Sequence, residues 1–138
     1  MSVSNARIIE SLERAGVRPS GARVHVLKYL ESNRNHPTAD TLFRGLKDVL
    51  PTLSRASVYN TVTALESAGL IRRLNIDGGE ARYDAHMPDH GHFRCEACGA
   101  VRDFDTDLGA LDLSALDGYT VGKRDLFVFG KCPDCQKK

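Results

Sequence analysis

The stretch from Asp84 to Asp103, DAHMPDHGHFRCEACGAVRD, places four nitrogen or oxygen donors, Asp84, His90, His92 and Asp103, and two thiols, Cys95 and Cys98, within twenty positions. These donors belong to two chemical classes. Thiolates hold zinc tightly, whereas imidazole mixed with carboxylate suits iron, manganese or zinc. One short segment therefore carries parts of two metal sites, and each needs ligands from elsewhere in the chain.

The thiol site finds its partners near the C-terminal end. Cys95-Cys98 and Cys132-Cys135 are two C-x-x-C knuckles, a spacing that lets two thiolates grip one tetrahedral ion, and Gly99 and Pro133 suit the tight turns this requires. A redox pair or a disulfide is the competing reading; four cysteines on one structural zinc is the more specific one. The 33 residues between the knuckles exceed a simple zinc-ribbon span, so a folded lobe lies between them. HFRC, AVRDF and the run YTVGKRDLFVFG read as strands, with a short helix near Leu108–Leu116. A lobe of about 50 residues has little core, so a structural metal is what it needs. His90 and His92 are two apart, so a strand points both to one face, where Asp103 on a neighbouring strand can meet them. His25 and His86 read as ordinary polar residues.

The elements that must position these groups begin with helices. Residues 3–15 carry Ile8, Ile9, Leu12 and Ala15 at helical spacing, with Gly16 as the stop. Ser20 caps a second helix with Val24, Leu27 and Leu30 inward. Thr38 caps a third, with Leu42, Leu46, Val49 and Leu50 inward and Pro51 ending it. Ser54 caps a fourth, with Val58, Val62 and Leu65 inward and Gly69 as its stop. The segment IRRLNIDGGEARYD then alternates around an Asp77-Gly78-Gly79 turn as a two-stranded hairpin. Short helices followed by a basic hairpin form a winged helix-turn-helix, with the fourth helix in the major groove of DNA. On that reading Arg55, Ser57, Tyr59 and Asn60 face the bases and backbone, and Arg18, Arg23, Arg72, Arg73 and Arg82 are candidate phosphate contacts. The bland alternative is a helical interaction domain with a solvated polar face.

Charge and composition agree with this division. Residues 1–83 carry 12 Lys and Arg against 8 Asp and Glu, and residues 84–138 carry 7 against 10, so a net charge of +1 conceals a basic first half suited to a polyanion. The hydrophobic share of 41% and charged share of 27% are those of a soluble globular protein. No apolar run reaches the ~20 residues of a membrane span, and the first residues lack a signal-peptide core. The expectation is a cytoplasmic protein, in which thiols stay reduced and serve as ligands.

With these residues in place, the chain resembles the ferric uptake regulator (Fur) family. HPTADTLF (36–43), SRASVYNTVTALESAGLI (54–71), ARYD (81–84), HGHFRCEACGAVRDF (90–104) and FGKCPDC (129–135) carry the resemblance, in order and over nearly the whole length. It implies an α+β fold, with a winged helix-turn-helix DNA-binding domain at residues 1–84 and a small α/β dimerisation domain at 85–138 that also binds metal. It also implies a homodimer that represses by binding a palindromic operator when a regulatory metal is present, and no enzymatic activity. Within the family the chain looks most like the peroxide-sensing, PerR-like branch, whose regulatory site of three histidines and two aspartates has counterparts in His36, Asp84, His90, His92 and Asp103. Iron-uptake regulators generally have Glu where this chain has Asp103, and Gly91 and Arg124 stand at positions that hold ligands of a further site. The resemblance implies Fe²⁺ or Mn²⁺ at the regulatory site beside structural Zn²⁺, and a response to hydrogen peroxide in which a ligand histidine, His36 or His90, is oxidised. The alternatives are an iron-uptake or zinc-uptake regulator governed by metal concentration. A non-haem iron oxygenase is a further reading from another class, but it needs open coordination positions that five ligands do not leave.

Overall fold

Four hydroxyl side chains start the four helices at the head of the chain. In the computed structural model, which describes residues 4–33, 35–76, 79–85 and 89–137, Ser4, Ser20, Thr38 and Ser54 accept hydrogen bonds from the backbone N–H three residues on, at 3.3, 3.2, 3.1 and 3.0 Å. They cap α1 (Asn5–Arg14), α2 (Gly21–Ser32), α3 (Ala39–Leu46) and α4 (Arg55–Ser67). Each such cap is worth about 1 kcal/mol. Two helices also finish alike. Gly16 and Gly69 adopt left-handed φ of 76° and 78°. Each lets the next N–H reach back, Val17 to the Leu12 carbonyl at 2.9 Å and Leu70 to the Leu65 carbonyl at 3.0 Å. Glycine tolerates that conformation without a Cβ clash.

The chain divides into two units, Met1–Met87 and Pro88–Lys138. In the first, the helical stripes converge on one core, with Ile8, Leu12, Val26, Leu42, Val58 and Leu65 fully buried. Val26 joins it although the stripe read from sequence was Val24, Leu27 and Leu30. Val49 is a correction in the other direction: α3 stops at Leu46, so the continuation of its stripe fails and Val49 is 59% exposed. β1 (Arg72–Leu74) and β2 (Arg82–Asp84) pair antiparallel, Arg72 opposite Asp84 and Leu74 opposite Arg82. The Asp77-Gly78 part of the expected turn and His86 lie outside the described residues. The segment before α3 is fastened to this hairpin, since Thr38 bridges to Arg82 and the Tyr83 N–H donates to the Pro37 carbonyl at 3.0 Å.

The second unit is a three-stranded sheet in the order β4-β3-β5, from β3 (Gly91–Cys95), β4 (Val101–Phe104) and β5 (Leu126–Gly130). β3 and β4 are antiparallel and β3 and β5 parallel, with His92 between Asp103 and Phe127. The crossover needed for a parallel pair contains two 3₁₀ turns, Leu108–Ala110 and Ser114–Leu116, where the sequence led us to expect one short α-helix. The aspartates explain the difference. Asp107 and Asp112 accept from the Gly109 and Ser114 N–H groups, both at 3.0 Å, and so take the donors a helix would use. The long apolar run forms a strand only from Leu126. A last short helix, α5 (Pro133–Gln136), carries Cys135. Among the described residues, no helix is long and apolar enough to cross a membrane. The architecture is the expected α+β, a winged helix-turn-helix domain followed by a small dimerisation domain with a four-cysteine zinc site.

Candidate functional site

The thiol site is assembled by a tight turn and a helix start. After β3 the Gly99 N–H donates to the Cys95 carbonyl at 2.8 Å, and Gly99, at a φ of 78°, turns the chain so that Cys98 comes back beside Cys95. Proline at the first position of α5 starts the helix that presents Cys135 beside Cys132. The four sulfurs lie within 4.8 Å of one another, Cys98 and Cys132 at 3.9 Å. Zn–S bonds of ~2.3 Å in a tetrahedron put sulfurs about 3.8 Å apart, so this donor set fits zinc. The Cys132 and Cys98 N–H groups point at the Cys95 sulfur, at 3.4 and 3.5 Å. Those two donors, Cys132 first, bring the Cys95 thiol down to about 6, whereas hydrogen bonding to Cys132 and then Cys95 pushes Cys135 up to about 12. Cys95 thus favours the thiolate and Cys135 resists joining it. A dication that takes all four as thiolates relieves that conflict.

The imidazole and carboxylate donors are grouped within each unit. In the first, His36 and Asp84 are both buried, with His36 Nε2 3.7 Å from Asp84 Oδ2. His36 is the only described non-glycine residue with positive φ, 52°, and Arg82 Nη1 donates to its carbonyl at 3.5 Å. In the second, Asp103 Oδ1 lies 2.9 Å from His92 Nδ1 and 3.4 Å from His90 Nε2. The two histidine rings are 4.3 Å apart, centroid to centroid. Ligands sharing an ion at ~2.1 Å stand about 3 Å apart, so both groupings have the spacing of neighbours in one coordination shell. A sulfur-free shell of imidazole and carboxylate fits Fe²⁺, Mn²⁺ or Zn²⁺.

The sequence did not point to two residues near these groups. Asp125, one position before β5, has its Oδ1 3.7 Å from His92 Nε2, and Phe127 packs edge-on against the same ring at 5.5 Å. Only the parallel register of β5 on β3 brings them there. Alternation within the run RDLFVF would have put Asp125 and Phe127 on one face, but not against His92.

On α4, Arg55, Tyr59 and Asn60 are exposed and Ser57 is half-buried beside Ser54, its Oγ 2.8 Å from that of the cap. Arg55 lies 4.7 Å above the Phe43 ring and pairs with Asp40, which also pairs with Arg44 at 2.7 Å. Arg18 and Arg73 are exposed, and Arg73 lies 3.4 Å from Glu66. Arg23 is half-buried and donates to the Arg18 carbonyl at 2.9 Å. Arg72 is 7% exposed, because the first position of β1 faces inward. His25 keeps its ordinary reading, with Nδ1 2.9 Å from the Gly21 carbonyl.

Residues 14–117 match the model of the ferric uptake regulator family. The chain is 34% identical over 133 residues to the peroxide operon regulator of Bacillus subtilis, covering 94% of this chain and 92% of that one. Among solved structures, the ferric uptake regulator of Francisella tularensis with iron superposes with a TM-score of 0.73 at 29% identity, covering 88% of this chain and 96% of that one. The Campylobacter jejuni peroxide stress regulator gives 0.72 at 25%, covering 94% and 97%. The likeness extends over nearly the full length of these relatives, and the chain belongs to the ferric uptake regulator family of metal-dependent repressors.

Proposed function

We propose that the protein is a peroxide-responsive repressor whose regulatory ion, Fe²⁺ or Mn²⁺, is held by His36 and Asp84 of the first unit and by His90, His92 and Asp103 of the second. The observation that carries the reading is Asp103, whose carboxylate stands beside both His90 and His92 at ligand spacing. The grouping of His36 with Asp84 and the likeness to peroxide regulators support it further. Zinc on Cys95, Cys98, Cys132 and Cys135 is structural.

An ion bound by ligands from both units favours whichever arrangement of the units binds it more tightly, and by no more than that difference in affinity. We assign the DNA-competent homodimer to that arrangement, with a palindromic operator read by Arg55, Ser57, Tyr59 and Asn60 and its phosphates met by Arg18, Arg23, Arg73 and Arg82. Bound by these ligands, Fe²⁺ would supply the redox chemistry that cleaves peroxide, which Mn²⁺ would not, with the imidazole as the net two-electron reductant. In the net step one oxygen is added to an imidazole carbon of His36 or His90, and the peroxide is reduced to water. The altered ring is a poorer ligand, and the operator is released.

A direct test loads the protein with Fe²⁺ or Mn²⁺, adds peroxide, and follows operator binding alongside peptide masses. The Fe²⁺ form is expected to lose the operator and gain one oxygen on a peptide containing His36 or His90, while the Mn²⁺ form keeps both unchanged. An Fe²⁺ form that keeps its DNA and gains no oxygen refutes peroxide sensing. Binding set by iron or zinc concentration alone would then make it an uptake regulator. Binding should also fall steeply with salt if the arginines meet phosphates.

A further inference from the structure

His92 is the most enclosed of the site's imidazoles, with no exposed surface, and both its ring nitrogens face carboxylates. Nδ1 is 2.9 Å from Asp103, and Nε2 is 3.7 Å from Asp125. The sheet builds this enclosure. Asp103 is the antiparallel partner of His92 on β4, and Phe127 is its parallel partner on β5. Asp125, two residues before Phe127, falls on the same face.

We propose that Asp125 is a positioning residue of the regulatory metal site: its carboxylate takes the Nε2–H of His92 and so fixes the ring that binds the ion through Nδ1. The inference rests on the site proposed above. Asp125 is not itself a ligand, because an ion on Nδ1 and an oxygen facing Nε2 stand on opposite sides of the ring. The gap of 3.7 Å is roughly half an ångström beyond hydrogen-bond range and closes by a small tilt of the ring. A carboxylate on the far nitrogen selects the tautomer with Nδ1 open for coordination. It also makes that nitrogen a stronger donor. Phe127, edge-on to His92 at 5.5 Å, limits how far the ring can turn away. Asp125 is 18% exposed, sheltered enough from water for its charge to act on the ring.

The test measures Mn²⁺ affinity by calorimetry on the full zinc-loaded protein, for the wild type, D125A, D125N, H92A and D103A. D125A is expected to bind Mn²⁺ on the order of 10–100-fold more weakly, the usual cost of removing the partner of a metal-bound histidine. D125N keeps an oxygen that accepts the Nε2–H but loses the charge, so its loss should be smaller. That order is a readout a merely structural role would not produce. Zinc content and circular dichroism show whether each variant has folded, and D125N carries the test if D125A has not. A wild type that binds Mn²⁺, with H92A and D103A abolishing binding and both Asp125 variants within twofold of the wild type, overturns this inference and leaves the site standing. A wild type that takes up no ion beyond zinc, or an H92A variant that keeps it, removes the site and this inference together.

Discussion

A histidine at a φ of 52° immediately before a proline is held against two local preferences, since side chains other than glycine avoid the left-handed region and a residue preceding proline favours extended backbone. The conformation costs about 1 kcal/mol. It persists because the backbone is pinned at this residue and the next: Arg82 holds the His36 carbonyl, and the Pro37 carbonyl accepts from Tyr83. Two substitutions separate the backbone from the ligand. His36→Gly and His36→Ala both remove the imidazole and should both abolish metal-dependent operator binding. The glycine variant should nonetheless be about 1 kcal/mol more stable than the alanine variant in denaturant unfolding of the protein without its regulatory ion, the reverse of the usual order. Equal stabilities would mean that the left-handed turn is not retained in solution. At this scale the sequence was legible wherever chemistry needs no geometry: the thiols and Asp84, His90, His92 and Asp103 stand out by donor type, whereas His36 came only with the family resemblance. Asp125 was hidden because its role depends on which strand lies beside β3. The burial of Arg72 was hidden because an arginine looks the same in sequence whether its position faces water or the core.

Strand and helix boundaries rest on contacts of a different kind. Gly91 pairs with Phe104 across β3 and β4, and a Cβ added at Gly91 would lie less than 3.0 Å from the Phe104 ring. The position tolerates no side chain while that ring is in place. Gly91→Ala should destabilise the second unit by about 1–3 kcal/mol through overpacking, and Phe104→Leu in the same chain should recover part of the loss; thermal unfolding of single and double variants measures both. Additive losses would show that the two residues do not share the contact. The capped helices of the first unit were readable because hydroxyl, apolar stripe and terminal glycine agree with one another. The stretch at 108–116 was not, since Asp107 and Asp112 spend their carboxylates on nearby N–H groups and leave only 3₁₀ turns. Val49 misled for a related reason: its stripe runs on in sequence past the point where α3 ends.

For the molecule as a whole, the proposed division of labour between two metals follows from where their ligands lie in the chain. All four thiols belong to the second unit, so zinc can stabilise that unit without reference to the first. The proposed regulatory donors are drawn from both, so the regulatory ion alone can couple them. That proposed division was suggested by donor chemistry and not by spacing, because Cys95 and Cys98 lie between His92 and Asp103 in the chain. The parallel pairing of β3 with β5 has a kinetic consequence. Antiparallel β3 and β4 meet through a turn of a few residues, but β5 must find β3 across some thirty residues with no α-helix to shorten the search. Such closures are slow and leave strand edges open while they wait. The thiols sit at the two ends of that search, Cys95 closing β3 and Cys132 two residues beyond β5. Zinc caught first by one knuckle and then by the other would draw the strands together before their backbones pair. Refolding of the second unit should accordingly speed up with zinc and slow sharply under a chelator, whereas the helices of the first unit form at the same rate in both. Equal rates for the second unit would place zinc capture after the sheet has closed.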